Sequence, residues 1–193
     1  MLRAATSVFT PQTRSQEWAK QAAIVVGASL FVALCARVTV PLLPFTPVPL
    51  TLQNFGVLAV AMLLGPRRGC AALALYLAEG AAGLPVFNPA GVGGIMQIMG
   101  ATGGFLMAYP FVAFVTGWIY ERTGRRFSGA LLAGLAGEVL LFVGGLSWLF
   151  ALTHSFSLAI KWGLYWFVFA EVIKIMAAAG VCSQWNRRFS RNV

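Results

Sequence analysis

The chain is poor in charged residues. It contains no aspartate, and charged residues of both signs make up only 10% of its 193 positions. A soluble domain carries about 25% charged residues, so this composition excludes an ordinary water-exposed surface. Hydrophobic residues reach 59% instead. We therefore expect a lipid bilayer to surround most of the chain.

Residue types that carry catalysis or hold metals are equally scarce. The sequence has a single histidine, His154, and its three cysteines, Cys35, Cys70 and Cys182, match no metal-binding spacing. It contains no phosphate-binding Walker sequence and no Ser-His arrangement. The sequence therefore predicts no enzyme, no metal site, no bound cofactor and no ATP hydrolysis by this chain itself.

Six apolar stretches approach the length of about 20 residues that a helix needs to cross a bilayer. They predict an all-α membrane protein with six transmembrane helices and outward-facing re-entrant or capping loops. The first 20 residues are polar and lack the apolar core of a signal peptide. We assign 1–20 to an N-terminal tail, 21–182 to the transmembrane domain and 183–193 to a basic C-terminal tail. The six segments are placed at 21–40, 48–65, 69–82, 102–120, 128–150 and 160–182.

Basic residues fall on one side of this topology. The chain has 14 Lys and Arg residues and a net charge of +9, and most of them lie in the two tails, the two–three connection and the four–five connection. The other connections, about 41–47, 83–101 and 151–159, contain none. This pattern predicts cytoplasmic termini in the cell membrane. Because the basic residues are dispersed between apolar segments, the charge does not indicate nucleic-acid binding.

Two outward connections are rich in residues that break helices. The stretch VPLLPFTPVPLTLQN (40–54) holds four prolines and no charge, and 83–101 is uncharged and rich in glycine. Proline cannot continue a helix interior, and alternating prolines favour an extended backbone. Irregular backbone at membrane depth is buried in protein or lines a cavity. We expect the proline-rich loop to cover an outward-facing pocket that 83–101 helps to form; the alternative is an inert rigid turn.

Ionisable residues inside the apolar segments are costly in a bilayer and indicate function. Glu171 and Lys174 are three residues apart, so they share a helix face about halfway along segment six. They either neutralise each other or bind a ligand, with Lys174 facing a carboxylate and Glu171 accepting from an N–H. Glu138 is left open, as a protonated acid or as a partner of Lys174 or Arg37. Neutral polar residues near the outer loops complete a candidate small-ligand pocket: Gln53, Asn54, Tyr76 and Asn88.

Small residues recur every four positions along segment one, at Ala19, Ala23 and Gly27. Such a stripe lets another helix approach closely. It predicts either packing inside this chain or docking to a second membrane subunit.

Several motifs resemble the BioY family, the biotin-specific substrate-binding subunits of energy-coupling-factor transporters. They span about 40–176 and read PFTPVPLTLQ (44–53), LGPRRGCAALALYLAEGAAGLPVF (64–87), ATGGF (101–105) and FAEVIK (169–174). The resemblance implies six helices, biotin bound near the outer face, a first loop that closes over it, and no ATPase activity of its own. Partners are implied too: a transmembrane coupling subunit, which contacts the small residues of helix one, and cytoplasmic ABC-type ATPases.

The resemblance also maps an acidic-x-x-Lys pattern onto Glu171 and Lys174, although aspartate is more usual at the first position. A proline that usually precedes the Thr-Gly-Gly run is Ala101 here. Combined with the polar pattern, the family suggests hydrogen bonds to the ureido ring, a cation for the carboxylate and aromatic packing on the ring. The predicted biotin site is Gln53, Tyr76, Phe87, Asn88, Glu171, Lys174 and Arg37.

Three other functions stay open at this point. The chain could serve a different vitamin within the same class of transporter. It could be a self-sufficient secondary transporter that uses Glu138 or Glu79 as a proton site. It could also be a membrane scaffold that transports nothing, in which case the polar pocket residues would be dispensable.

Overall fold

A computed structural model describes residues 14–190, with side chains described to Arg188. The outermost parts of both predicted tails, including Arg3 and Arg191, lie outside the described residues. Within them the chain forms seven helices and one pair of two-residue strands, Thr39–Val40 (β1) and Leu50–Thr51 (β2). The helices are α1 (Arg14–Arg37), α2 (Gln53–Ala81), α3 (Gly94–Met99), α4 (Gly103–Arg122), α5 (Phe127–Thr153), α6 (Phe156–Gly163) and α7 (Val168–Ser190).

Five of these helices are long and apolar enough to cross a membrane: α1, α2, α4, α5 and α7. The prediction of an all-helical membrane protein is confirmed at this level. The strands are an addition that the sequence did not predict. Thr39 pairs with Thr51 and Val40 with Leu50 in an antiparallel ladder, which joins the two ends of the proline-rich loop.

Helix α2 folds back on itself at Gly65. The side chains of Gln53 and Tyr76 are 2.9 Å apart, although 23 residues of straight helix would extend about 35 Å. Gly65 has φ 79° and ψ 177°, a conformation that favours glycine, and Pro66 follows it. A Cβ at Gly65 would also overlap the carboxylate of Glu121. We call 53–64 the first arm and 66–81 the second arm; they correspond to predicted segments two and three.

The end of the bundle at Gly65 carries the basic turns. Gly65 lies against Glu121 near the end of α4, and the Tyr120 hydroxyl accepts a hydrogen bond of 2.9 Å from Asn186 near the end of α7. Arginines flank these contacts, at 67 and 68, at 122, 125 and 126, and at 187 and 188. The structure therefore places these arginines at one end and the proline-rich loop at the other.

Three helix boundaries differ from the sequence prediction. Helix α7 continues to Ser190, through most of the predicted C-terminal tail (183–193). Helix α1 already includes 14–20, which the sequence placed in a tail, because SQEWAK consists largely of adequate helix formers. Predicted segment six is divided: 164–167 form turns between α6 and α7, and Lys161 lies on the short α6. The apolar run continues across this break, so hydropathy alone could not reveal it. Phe167 in the break is buried in one hydrophobic cluster with Val48 of the proline-rich loop.

The main core lies between the two arms of α2, α4 and α1, where Val57, Leu73 and Val112 are fully buried. Close approach of α4 requires Gly117, because a Cβ there would meet the backbone of Gly65 and Pro66 at less than 3 Å. Large apolar side chains cover the outside of α5 instead, as at Leu132, Leu135, Val139 and Val143. Such an outward apolar surface suits lipid, and it leaves the few polar side chains to face inward.

Candidate functional site

A pocket opens at the end of the bundle opposite Gly65. The space between its lining atoms amounts to about 520 Å³, part of it open to solvent. The start of α2, the start of α7 and the middle of α5 supply its polar side chains. Apolar and aromatic side chains from α4, α5 and the 164–167 turn form its walls: Phe105, Leu106, Tyr109, Leu141, Phe142 and Phe167.

An ion pair lies in this pocket. Nζ of Lys174 donates a hydrogen bond of 2.6 Å to Oε1 of Glu171, and both residues are less than a tenth exposed. The sequence predicted this pair about halfway along a long helix, and that position along the helix is wrong. The break at 164–167 starts α7 at Val168, so the pair occupies its first two turns, beside the loops. An ammonium group has three donors, so Lys174 can bind Glu171 and a ligand oxygen together.

Asn54 connects the ion pair to a second acid. Its Nδ2 donates to Oε2 of Glu171 and to Oε2 of Glu138, each at 2.7 Å. Three elements therefore converge on one amide group: α2 with Asn54, α5 with Glu138 and α7 with Glu171. The sequence left the partner of Glu138 open between Lys174 and Arg37, whereas the hydrogen bond is to Asn54.

Three buried oxygen atoms of lining residues have no hydrogen-bond partner among the described residues. They are Oδ1 of Asn54, Oδ1 of Asn88 and Oε1 of Glu138. Buried polar atoms are normally paired, so unpaired ones on a pocket wall indicate a ligand that supplies partners. These three oxygens belong to the same pocket as the aromatic and aliphatic walls described above.

Tyr76 and Phe87 stand behind the pocket wall. Nε2 of Gln53 donates to the Tyr76 hydroxyl at 2.9 Å, and that hydroxyl donates to the carbonyl of Val86 at 3.0 Å. The rings of Tyr76 and Phe87 meet edge to face with centroids 5.4 Å apart. Gln53 and Asn88 line the pocket, while Tyr76 and Phe87 hold the two chain segments that present them.

Arg37 is not brought to the pocket. It ends α1, is exposed, and is absent from the lining residues. Of the two cations that the sequence offered for a ligand carboxylate, only Lys174 is in place in this structure.

The proline-rich loop lies over the pocket. Val48, Pro49 and Thr51 are lining residues. Oγ1 of Thr46 donates to the carbonyl of Trp162 on α6 at 2.8 Å and accepts from the amide of Val48 at 3.0 Å. The Phe45 ring packs on Trp166 with centroids 5.2 Å apart. These contacts join the loop to α6 and the 164–167 turn, so it covers one side of the site.

A sequence model of the BioY family matches residues 6–191, nearly the whole chain. The chain belongs to the BioY family. A biotin transporter BioY of Thermotoga maritima is 36% identical over 155 residues, which cover 80% of this chain and 90% of that protein. A biotin transporter BioY of Rhizobium etli is 35% identical over 169 residues, covering 80% and 88%. The family resemblance found in the sequence is thereby confirmed.

The fold of this BioY family member is also found in a solved structure. It superposes with a TM-score of 0.79 on the crystal structure of the S-component for biotin from an ECF-type ABC transporter, over 92% of this chain and 95% of that one. The two sequences are 23% identical, so this likeness concerns the fold.

The small-residue stripe is exposed in this BioY family member. Ala19, Ala23 and Gly27 all lie on the outer face of α1, and a Cβ at Gly27 would have no atom within 4 Å. The described part of the chain therefore does not use the stripe for its own helix packing.

Sequence reasoning missed two central residues of the pocket. Asn54 was a polar candidate but was left out of the predicted site, and Glu138 was left without a role. The sequence showed Glu138 only as a single acid inside an apolar segment. That pattern does not determine which residue binds its carboxyl group. Periodicity along one helix cannot predict that α2, α5 and α7 meet at one amide group.

Proposed function

We propose that this protein captures biotin at the outer face of the cell membrane, as the substrate-binding subunit of an energy-coupling-factor transporter. The observation that carries the proposal is the pocket itself, where Lys174 and three oxygens without a partner among the described residues lie beside apolar walls. Biotin has matching parts: a carboxylate for the lysine, a cyclic urea that both donates and accepts hydrogen bonds for the oxygens, and an apolar ring system. The names of the relatives support the same ligand.

The proposed path has six membrane crossings, with the two arms of α2 counted separately. The end of the bundle that gathers the arginines then faces the cytoplasm, by the positive-inside rule. This places both termini inside and opens the pocket outward. The proline-rich loop is the lid in this arrangement, and its prolines limit the entropy that closure costs.

The proposed partners are a transmembrane coupling subunit and cytoplasmic ABC-type ATPases. Ala19, Ala23 and Gly27 present a flat, exposed strip of helix on which another helix can pack closely. The ATPases would supply the energy for uphill uptake.

Uptake of labelled biotin tests this function. Biotin-requiring cells without their own transporter would express this protein alone or with candidate coupling and ATPase subunits. The proposal expects uptake that depends on the partners and stops when the ATPases carry inactivating substitutions. Uptake that persists without any ATPase and collapses with the proton gradient would support a self-sufficient proton-coupled transporter instead.

A further inference from the structure

The pocket holds two acids and one base. Glu138 and Glu171 are each 6% exposed and Lys174 is 9% exposed. Lys174 binds Glu171, and no second basic side chain lines the pocket within the described residues. If both glutamates were ionised, the buried cluster would carry an uncompensated negative charge, which a low-dielectric site strongly disfavours. It would also repel a ligand carboxylate.

One proton in the cluster removes both problems, and Glu138 is the acid without a cation. The titratable side chains that face it are Glu171 and Lys174 from α7 and Tyr109 from α4, while α2 contributes only the Asn54 amide. Glu171 is compensated by its ion pair. A neutral Glu138 therefore leaves the cluster uncharged before an anionic ligand enters.

The hydrogen bonds leave one oxygen of Glu138 open for this proton. Nδ2 of Asn54 donates one hydrogen to Oε2 of Glu138 and the other to Oε2 of Glu171, so both of these oxygens accept. Oε1 of Glu138 is buried and has no partner among the described residues. A proton on Oε1 therefore points to no protein acceptor and is available to a ligand. Oδ1 of Asn54, also unpartnered, is an acceptor beside it.

We infer that Glu138 binds the ligand as a neutral carboxylic acid. Its Oε1 donates a hydrogen bond to the ring carbonyl of the cyclic urea, and Oδ1 of Asn54 accepts from an adjacent ring N–H. The two residues form one donor and one acceptor side by side, which matches the C=O and N–H edge of the urea. This inference rests on the proposed function, because it takes biotin as the ligand.

Two substitutions at Glu138 test whether its side chain acts as a neutral hydrogen-bond donor or as a charged acceptor. Glu138→Gln keeps the shape and can donate from its amide, so biotin affinity should stay within about threefold of the wild type. Glu138→Leu removes the donor, and the unmet carbonyl should lower affinity about tenfold or more. Glu121→Gln, at the exposed far end of α4, is the control for a changed glutamate outside the site. Calorimetry on purified, detergent-solubilised protein gives the affinities, and size-exclusion profiles show which variants fold.

Infrared difference spectroscopy detects the proton directly. The wild type should show a protonated-carboxyl C=O band that shifts when biotin is added and is absent from Glu138→Gln. This readout does not need Glu138→Leu to fold, and the ligand-free spectrum does not need biotin to bind.

The possible results are distinct. A protonated band that belongs to Glu138, with near-normal binding by Glu138→Gln and weak binding by Glu138→Leu, supports the inference. Equal losses in both variants would show that an uncharged donor cannot replace Glu138, and unchanged binding in both would remove it from the ligand; either result overturns the inference. Folded wild-type protein that binds no biotin would contradict the proposed function, while the ligand-free band would still decide the protonation of Glu138.

Discussion

At the scale of single residues, Lys174 gives the pocket its preference for an acid. It is the pocket's cation within the described residues, and Glu171 holds its ammonium group in place at 2.6 Å. Lys174→Gln should weaken biotin about 10- to 100-fold, because a charge-assisted hydrogen bond to the carboxylate is lost. Biotin amide should lose much less, since it has no charge to pair. Calorimetry with both ligands makes the comparison, and equal losses would remove Lys174 from the carboxylate role.

Tyr76 acts through its neighbours rather than on the ligand. Tyr76→Phe removes the hydroxyl between Gln53 and the Val86 carbonyl, so two buried groups lose a partner. We expect a loss of stability of about 1–3 kcal/mol and a several-fold weaker affinity for biotin. Thermal unfolding and titration measure the two effects. Tyr165→Phe is the matched control, because Tyr165 is exposed in the 164–167 turn; an equal effect there would contradict the role of Tyr76.

The sequence predicted the residues of the site unevenly. Four predicted residues do line the pocket: Gln53, Asn88, Glu171 and Lys174. They could be predicted because each is a polar group in or next to an apolar segment. Tyr76 and Phe87 lie one layer behind it, since a sequence pattern does not separate contact from support. Arg37 lies at the end of a helix, where a charged side chain can turn either to solvent or to the pocket. In the structure it is exposed to solvent.

At the scale of elements, the proline-rich loop is held by few contacts. Thr46 is buried and bonds both to Trp162 on α6 and to Val48 within the loop. Thr46→Val keeps the volume but removes both bonds, so biotin should dissociate about five- to tenfold faster, with a smaller change in association. Trp162 and Trp166 touch the loop, so stopped-flow tryptophan fluorescence follows its movement.

Thr123→Val is the control for this loop, because the Thr123 hydroxyl donates to carbonyls in the last turn of α4, those of Ile119 and Tyr120, at the opposite end of the bundle. Unchanged dissociation in Thr46→Val would show that the loop does not act as a lid.

Hydropathy predicted the elements but not their breaks. The fold-back at Gly65 was placed correctly because GPRR combines glycine, proline and charge within a few residues. The break at 164–167 contains only apolar and aromatic residues, LYWF, so no local signal separates α6 from α7. In the structure Phe167 is buried in one cluster with Val48 of the proline-rich loop, and the break puts Glu171 and Lys174 in the first two turns of α7, beside the pocket.

At the scale of the whole molecule, substitutions in the exposed stripe of α1 should impair biotin transport without impairing biotin binding. Ala23→Leu and Gly27→Leu fill the exposed stripe of α1 without meeting another part of the described chain at Gly27. Biotin uptake with the partner subunits should fall about tenfold or more, because a partner helix can no longer approach closely. Biotin binding by the isolated protein should stay unchanged.

Ala22→Leu is the matched control, since Ala22 is also exposed on α1 but lies off the stripe. If the stripe variants lost biotin binding in isolation, the stripe would serve internal packing. If they transported normally, it would not be the docking surface.

The central claim is that this chain alone forms a selective biotin site, and calorimetric titration tests it most directly. Purified, detergent-solubilised protein would be titrated with biotin, with desthiobiotin, which keeps the urea and the carboxylate, and with an unrelated vitamin. The account predicts tight binding of biotin at about one ligand per chain, weaker but measurable binding of desthiobiotin, and no heat from the third compound. Folded protein that binds none of them, or that binds the unrelated vitamin as well as biotin, would contradict it.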